Sequence, residues 1–215
     1  MGSDAHGYRR IVTTAADLIP ERATLPQLRE RAAGCTACDL WRNATQTVFG
    51  EGPRSARLML VGEQPGDVED REGRPFVGPA GSLLDRALDD AGADRSAIYV
   101  SNVVKHFKWR ARGPRRIHDT PNEREVAACR PWLQAEIAAV RPRVLVCLGA
   151  TAARSLLGPS FRLTRHRGEL VESELGPLLT ATYHPSAVLR APRERRSEVF
   201  GALVEDLGAA VRAAA

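Results

Sequence analysis

Four short apolar runs punctuate this chain, at residues 57–62, 98–104, 144–149 and 178–182. Each is too short for a helix and is bounded by polar residues, the pattern of strands buried on both faces. Between them the spacing becomes helical. Thr24 caps a helix that carries Pro26 in its first turn and is expected to stop at Gly34 in a left-handed terminus. Residues 78–81 (Gly-Pro-Ala-Gly) lead into an amphipathic helix with Leu83, Leu84, Ala87 and Leu88 on one face. Asn122 and Glu125 form a capping box, and Pro131 should bend that helix or mark a join. Short and long helices follow at 151–157 and 193–211, while His166 is read as part of a loop before a strand. Strands alternating with helices predict a layered α/β fold with a mostly parallel, four-stranded sheet. Residues 1–20 are expected to be a flexible N-terminal segment, and 21–215 a single domain.

Ligands of such sheets bind beyond the carboxyl ends of the strands. Three of the four runs end in residues with chemical potential: Glu63 and Asp67, Asn102, and His184. Any one of them alone reads as a satisfied turn residue. Their recurrence at strand ends favours a site over a DNA-binding module without chemistry. Charge narrows the partner. The formal net charge is +5, and five of the eight residues 105–112 and three of the next six are Lys, Arg or His. A basic loop interleaved with Phe107 and Trp109 can neutralise phosphates and stack on bases; a solvated charged loop is the bland alternative. No apolar run approaches the ~20 residues of a membrane span. The first ten residues lack the apolar core of a secretory signal, so a cytoplasmic location is expected.

Four cysteines complete the candidate chemistry. In a reducing compartment, Cys35 and Cys38 at Cys-x-x-Cys spacing read as metal or redox ligands rather than a disulfide. They need two more partners. Cys147 lies inside an apolar run and reads as a core residue. Cys129 is the better ligand, with a histidine such as His106 as the fourth. On spacing alone, zinc in a Cys₃His site stays open.

Residues 62–66 (GEQPG), 73–81 (GRPFVGPAG), 101–105 (SNVVK), 128–133 (ACRPWL) and 183–186 (YHPS) together resemble the uracil-DNA glycosylase superfamily. They are most similar to its iron–sulfur branch, family 4, in order over residues 24–207. Gln64, where family 4 has a small residue, and the basic insertion ending Arg115-Arg116-Ile117-His118 resemble the X-type enzymes, which bond covalently to DNA. The resemblance implies a three-layer α/β/α fold and a [4Fe–4S] cluster held by Cys35, Cys38, His106 and Cys129. It also implies a uracil pocket in which Phe76 stacks on the base, Asn102 bonds its Watson–Crick edge and His184 donates to O2. Asp67 would hinder a thymine methyl at C5, main-chain donors near Gln64 would assist, and Ser186 would belong to the uracil- or DNA-binding set. Glu63 would face the sugar, and Arg115 and Arg116 would hold phosphate or pack the loop on the body. His118 would attack C1′ and capture the sugar in a single turnover. The alternative is a conventional hydrolytic family 4 glycosylase. The implied partner is uracil-containing DNA, single-stranded by preference, met by a monomer.

Overall fold

The four apolar runs become the strands of one sheet in a computed structural model, which describes residues 14–215. In chain order the elements are α1 (Leu25–Ala33), β1 (Leu58–Gly62), α2 (Asp67–Glu72), α3 (Pro79–Asp90), β2 (Tyr99–Asn102), β3 (Trp109–Arg112), β4 (Arg115–His118), α4 (Glu123–Val140), β5 (Val144–Leu148), α5 (Ala150–Leu157), α6 (Leu163–His166), β6 (Leu178–Thr182), α7 (Pro185–Arg190) and α8 (Arg196–Ala214). The sheet order is β2-β1-β5-β6, and every pairing is parallel.

The apolar strands are continuous because both of their faces are covered. Met59 and Val61 of β1 join Leu28, Tyr99, Trp132, Leu133 and Ile137 in the core beneath α1, α4 and α5. Leu58 and Leu60 point the other way, into the core under α3 and α8 with Leu84, Leu88, Leu203 and Leu207. This is the expected three-layer α/β/α architecture.

Several local expectations change. The second strand ends at Asn102, and Val103 and Val104 beyond it donate to the carbonyls of Gly62 and Glu63. Gly34 ends α1 at φ −100, outside the left-handed region. Pro131 marks no join: α4 runs unbroken over its 18 residues with Pro131 inside it and Trp132, Leu133 and Ile137 buried. At its start, Asn122 accepts from Glu125 N (2.9 Å) and Glu125 accepts from Asn122 N (2.7 Å), the expected capping box. His166 closes the one-turn helix α6 and pairs with Glu169. Of the expected N-terminal segment, residues 1–13 lie outside the described residues, and Ala15–Leu18 form a 3-10 turn whose Ala15 is buried in the core.

The basic loop is an antiparallel hairpin, β3–β4, with Trp109 opposite His118 and Arg112 opposite Arg115. The two residues between them, Gly113 and Pro114, make the turn, and Gly113 takes the positive φ of 58 that primed hairpin turns require.

Candidate functional site

Because the strands are parallel, their carboxyl ends lie on one edge, and the register decides which residues meet there. Gly62 stands opposite Asn102, and Leu148 opposite Thr182. A cavity of about 670 Å³ opens at this edge, lined among others by Glu63, Phe76, Asn102, His118, His184 and Arg190.

Gly62 makes the floor possible. A Cβ built there would lie 2.4 Å from Asn102 Oδ1 and 2.8 Å from the Phe76 ring. Gly81, in the first turn of α3, lets that helix sit directly on the Phe76 backbone, since a Cβ would come within 1.9 Å of its carbonyl oxygen. Phe76 itself holds φ 57, an uncommon state for an aromatic residue. Its ring lies 6.1 Å from that of His184, tilted by 31°.

Asn102 is 3% exposed, and its buried Oδ1 has no hydrogen-bond partner among the described residues. An orphaned acceptor of this kind costs roughly 1–3 kcal/mol, which a ligand N–H would recover. His184 caps α7, with its Nδ1 accepting from Ser186 N at 3.1 Å and facing Ser186 Oγ at 2.8 Å. A backbone N–H can only donate, so the neutral ring carries its hydrogen on Nε2. Burial, with help from Arg190 and His118, pushes the His184 pKa down to about 4. The ring is therefore a neutral donor at neutral pH.

His118 is half-exposed at the end of β4, its Nε2 3.4 Å from Glu63 Oε1. That is close enough for electrostatic attraction but falls outside hydrogen-bond geometry, and Glu63 Oε1 has no hydrogen-bond partner among the described residues. Gln64 fixes the hairpin at both ends. Its Nε2 donates to Lys108 O (3.1 Å) and Asp119 O (3.0 Å), and its Oε1 accepts from Lys108 N (2.9 Å). The Gln64 side chain is thus spent on the hairpin rather than on a ligand. Arg116 is also committed to the body. It donates to Asp67 and to Asp70 (2.7 Å), and its guanidinium lies over Phe107 and Trp109. Asp67, bonded to Arg116 and Arg71, is not among the residues lining the cavity. Arg115 projects into solvent with the exposed Arg110 and Arg112.

Sequence reading missed the polar bracing behind Asn102. Lys105 and Glu136 form a buried ion pair, and the Lys105 ammonium also donates to Ser101 Oγ and Asn102 O. Glu136 further accepts from Gly50 N, Tyr99 Oη and Ser101 Oγ. The signal available was a lysine three residues after a strand-end asparagine, next to an apolar run. Glu69, whose Oε1 accepts from Gly78 N, was missed as well.

The expected metal ligands occupy the far side of the same turn. Cys35, Cys38 and Cys129 lie within electrostatic reach of one another. Trp132 Nε1 donates to Cys35 Sγ and Lys105 N to Cys129 Sγ, each at 3.3 Å. Burial raises the Cys129 thiol to about 12, although Lys105 works against it, and lowers His106 to about 4. Among the described residues, no group of three or more His, Cys, Asp or Glu converges on one point as a single ion requires. A cluster meets each ligand at a separate iron, so its donors need not converge. Three thiols, with N–H donors on Cys35 and Cys129, and one neutral imidazole suit that kind of group chemically. Cys147 is fully buried in β5, as its apolar surroundings implied.

The parallel α/β domain thus carries a strand-end pocket floored by a glycine and lined by the buried Asn102 amide, the Phe76 ring and His184. The chain belongs to the uracil DNA glycosylase superfamily, whose family model matches residues 49–208. Similar proteins include a type-4 uracil-DNA glycosylase of Thermotoga maritima, 41% identical over 179 residues that span 83% of this chain and 88% of the relative. A type-4 uracil-DNA glycosylase of Sulfurisphaera tokodaii is 37% identical, spanning 80% and 79%. A type-5 uracil-DNA glycosylase of Pyrobaculum aerophilum is 31% identical, spanning 79% and 75%. The type-4 names agree with the hydrolytic alternative better than with the X-type branch. Among the described residues, no helix is long and apolar enough to cross a membrane.

Proposed function

We propose that this chain is a uracil-DNA glycosylase of the type-4 kind, which takes a uridine turned out of DNA and cleaves its N-glycosidic bond. The observation that carries this reading is the buried Asn102 Oδ1, which has no partner among the described residues. Uracil offers N3–H to that oxygen and O4 to the neighbouring amide nitrogen. Cytosine presents the opposite pattern. Phe76 supplies the stacking face. His184, neutral and with its hydrogen on Nε2, donates to O2, where charge gathers as the bond breaks, so the contact strengthens in the transition state. Glu63 faces the developing cationic sugar. The bonding pair leaves with N1, water forms the new C1′–O bond, and its proton passes to Glu63.

Cys35, Cys38, His106 and Cys129 would hold a [4Fe–4S] cluster, which supplies a cross-link between the end of α1, the turn after β2, and α4. Arg110, Arg112 and Arg115 offer phosphate contacts to single-stranded DNA, and the acting unit is a monomer.

One observation favours a second fate for the sugar. His118 Nε2 stands 3.4 Å from Glu63, in the wall of the cavity where an attacking water would be oriented. A neutral imidazole there can form a C1′–N bond in place of C1′–O and end the cycle after one turnover. A denaturing gel with a uracil-containing single strand separates the two fates. Hydrolysis gives many equivalents of free uracil and no band that survives SDS and heat. Capture gives one equivalent and such a band, absent from His118→Ser. A band persisting in His118→Ser would exclude His118 as nucleophile. Absence of uracil release under all conditions would sink the glycosylase reading.

A further inference from the structure

Thr47 connects two of the candidate cluster ligands through a short chain of hydrogen bonds. Its hydroxyl donates to Ala32 O at 2.9 Å and lies 2.8 Å from His106 Nε2. The same carbonyl accepts from Cys35 N at 3.0 Å. One backbone oxygen, in the last turn of α1, therefore anchors the main chain of Cys35 directly and the ring of His106 through Thr47.

Counting protons along this chain fixes the imidazole tautomer. A hydroxyl has one hydrogen to give, and a carbonyl has none. The Thr47 hydrogen goes to Ala32 O, so the hydrogen between Thr47 and His106 belongs to Nε2. His106 is 5% exposed. With the hydrogen on Nε2, Nδ1 is the ring nitrogen left to offer a lone pair to a metal, and it joins no hydrogen bond among the described residues. The opposite tautomer would require Thr47 to give up Ala32.

We propose that Thr47 is a positioning residue of the ligand set: its hydroxyl holds His106 in the Nε2–H form and leaves Nδ1 as the nitrogen that binds iron. The inference rests on the cluster reading given above. It follows from histidine at this position, because a thiolate there has no tautomer to select.

The test uses the iron-loaded protein, with Thr47→Val and Thr47→Ser made in the parent and in His106→Cys. The readouts are iron per chain, the visible absorbance of the cluster, and the rate of iron loss to a ferrous chelator. Thr47→Val removes the hydroxyl but keeps the shape, and should speed loss about 10–100-fold. Thr47→Ser should stay near the parent, and in His106→Cys the valine should change the rate less than about twofold, on the same argument. Histidine labelled with ¹⁵N at Nδ1 should show direct coupling to the reduced cluster by pulsed electron paramagnetic resonance in the unmutated protein. Direct coupling at Nε2 would overturn the proposal, as would a Thr47→Val protein that holds iron like the parent. Equal acceleration in both backgrounds would reduce Thr47 to a packing contact and overturn it too. An unmutated protein that binds no iron after anaerobic reconstitution would instead remove the cluster reading, and this inference with it.

Discussion

Gly62→Ala probes the floor of the pocket with a single methyl group. The new Cβ would lie 2.4 Å from Asn102 Oδ1 and 2.8 Å from Phe76 Cζ, so both side chains must withdraw together. Losing the Asn102 pairing leaves a uracil N–H unmatched, at about 1–3 kcal/mol. Losing the Phe76 face removes a stacking contact of about 1–3 kcal/mol per base. The sum, ~2–6 kcal/mol, corresponds to a fall in kcat/KM of about 30-fold to about 2 × 10⁴-fold. The fold should survive, because Gly62 does not occupy the positive-φ region and alanine is tolerated in a strand. The assay is uracil release from a single-stranded oligonucleotide at subsaturating substrate, with circular dichroism and a thermal melt on the same samples. A variant that melts like its parent and cleaves within threefold of it would refute the assignment of Asn102 and Phe76 to the base.

Three further perturbations follow from the same contacts. Lys105→Met strands the buried Glu136 carboxylate and should cost ~3–5 kcal/mol, or roughly 6–20 °C in Tm for a domain of this size. Lys105→Met/Glu136→Met should recover part of that loss, and a double variant no better than the single would contradict it. Gln64→Ala removes three hydrogen bonds from the base of the hairpin. Trypsin should then cut at Arg110, Arg112 or Arg115 about tenfold faster, the effect of ~1.4 kcal/mol of lost local stability; an unchanged rate would show that the hairpin stands without Gln64. His184 has its folded pKa lowered from 6.5 to about 4, so the unfolded chain binds the proton more readily. Its contribution to stability is therefore present above pH 6.5 and declines as pH falls towards 4. Urea midpoints at several pH values should show this slope, reduced in His184→Gln, and equal slopes in the two proteins would refute it.

The layers of the fold were legible because burial on both faces leaves a continuous apolar run, which few other contexts produce. The capping box of α4 was equally plain, since its two bonds span only three residues. The hairpin was not: eight Lys, Arg and His among the fourteen residues 105–118 suggested a loop, although Trp109, Ile117 and the Gly113-Pro114 turn carried the strand signal. Pro131 suggested a join for a related reason. Local rules disfavour proline within a helix, but the burial of Trp132, Leu133 and Ile137 outweighs one missing hydrogen bond.

By itself the sequence determined the four strands of the parallel sheet, the layered α/β class, and the residue types gathered at the strand ends, because these depend on short-range periodicity and parallel connection. Only the tertiary structure decided how those residues are used. Arg116 turns inward to Asp67 and Asp70, and the Gln64 side chain holds the hairpin. Asn102 keeps an unpaired oxygen towards the cavity, and Thr47 meets His106 across 59 residues of sequence. Hydrogen-bond partners far apart in the chain leave no periodic trace, so which donors are spent and which stay free emerges only when the strands and helices pack.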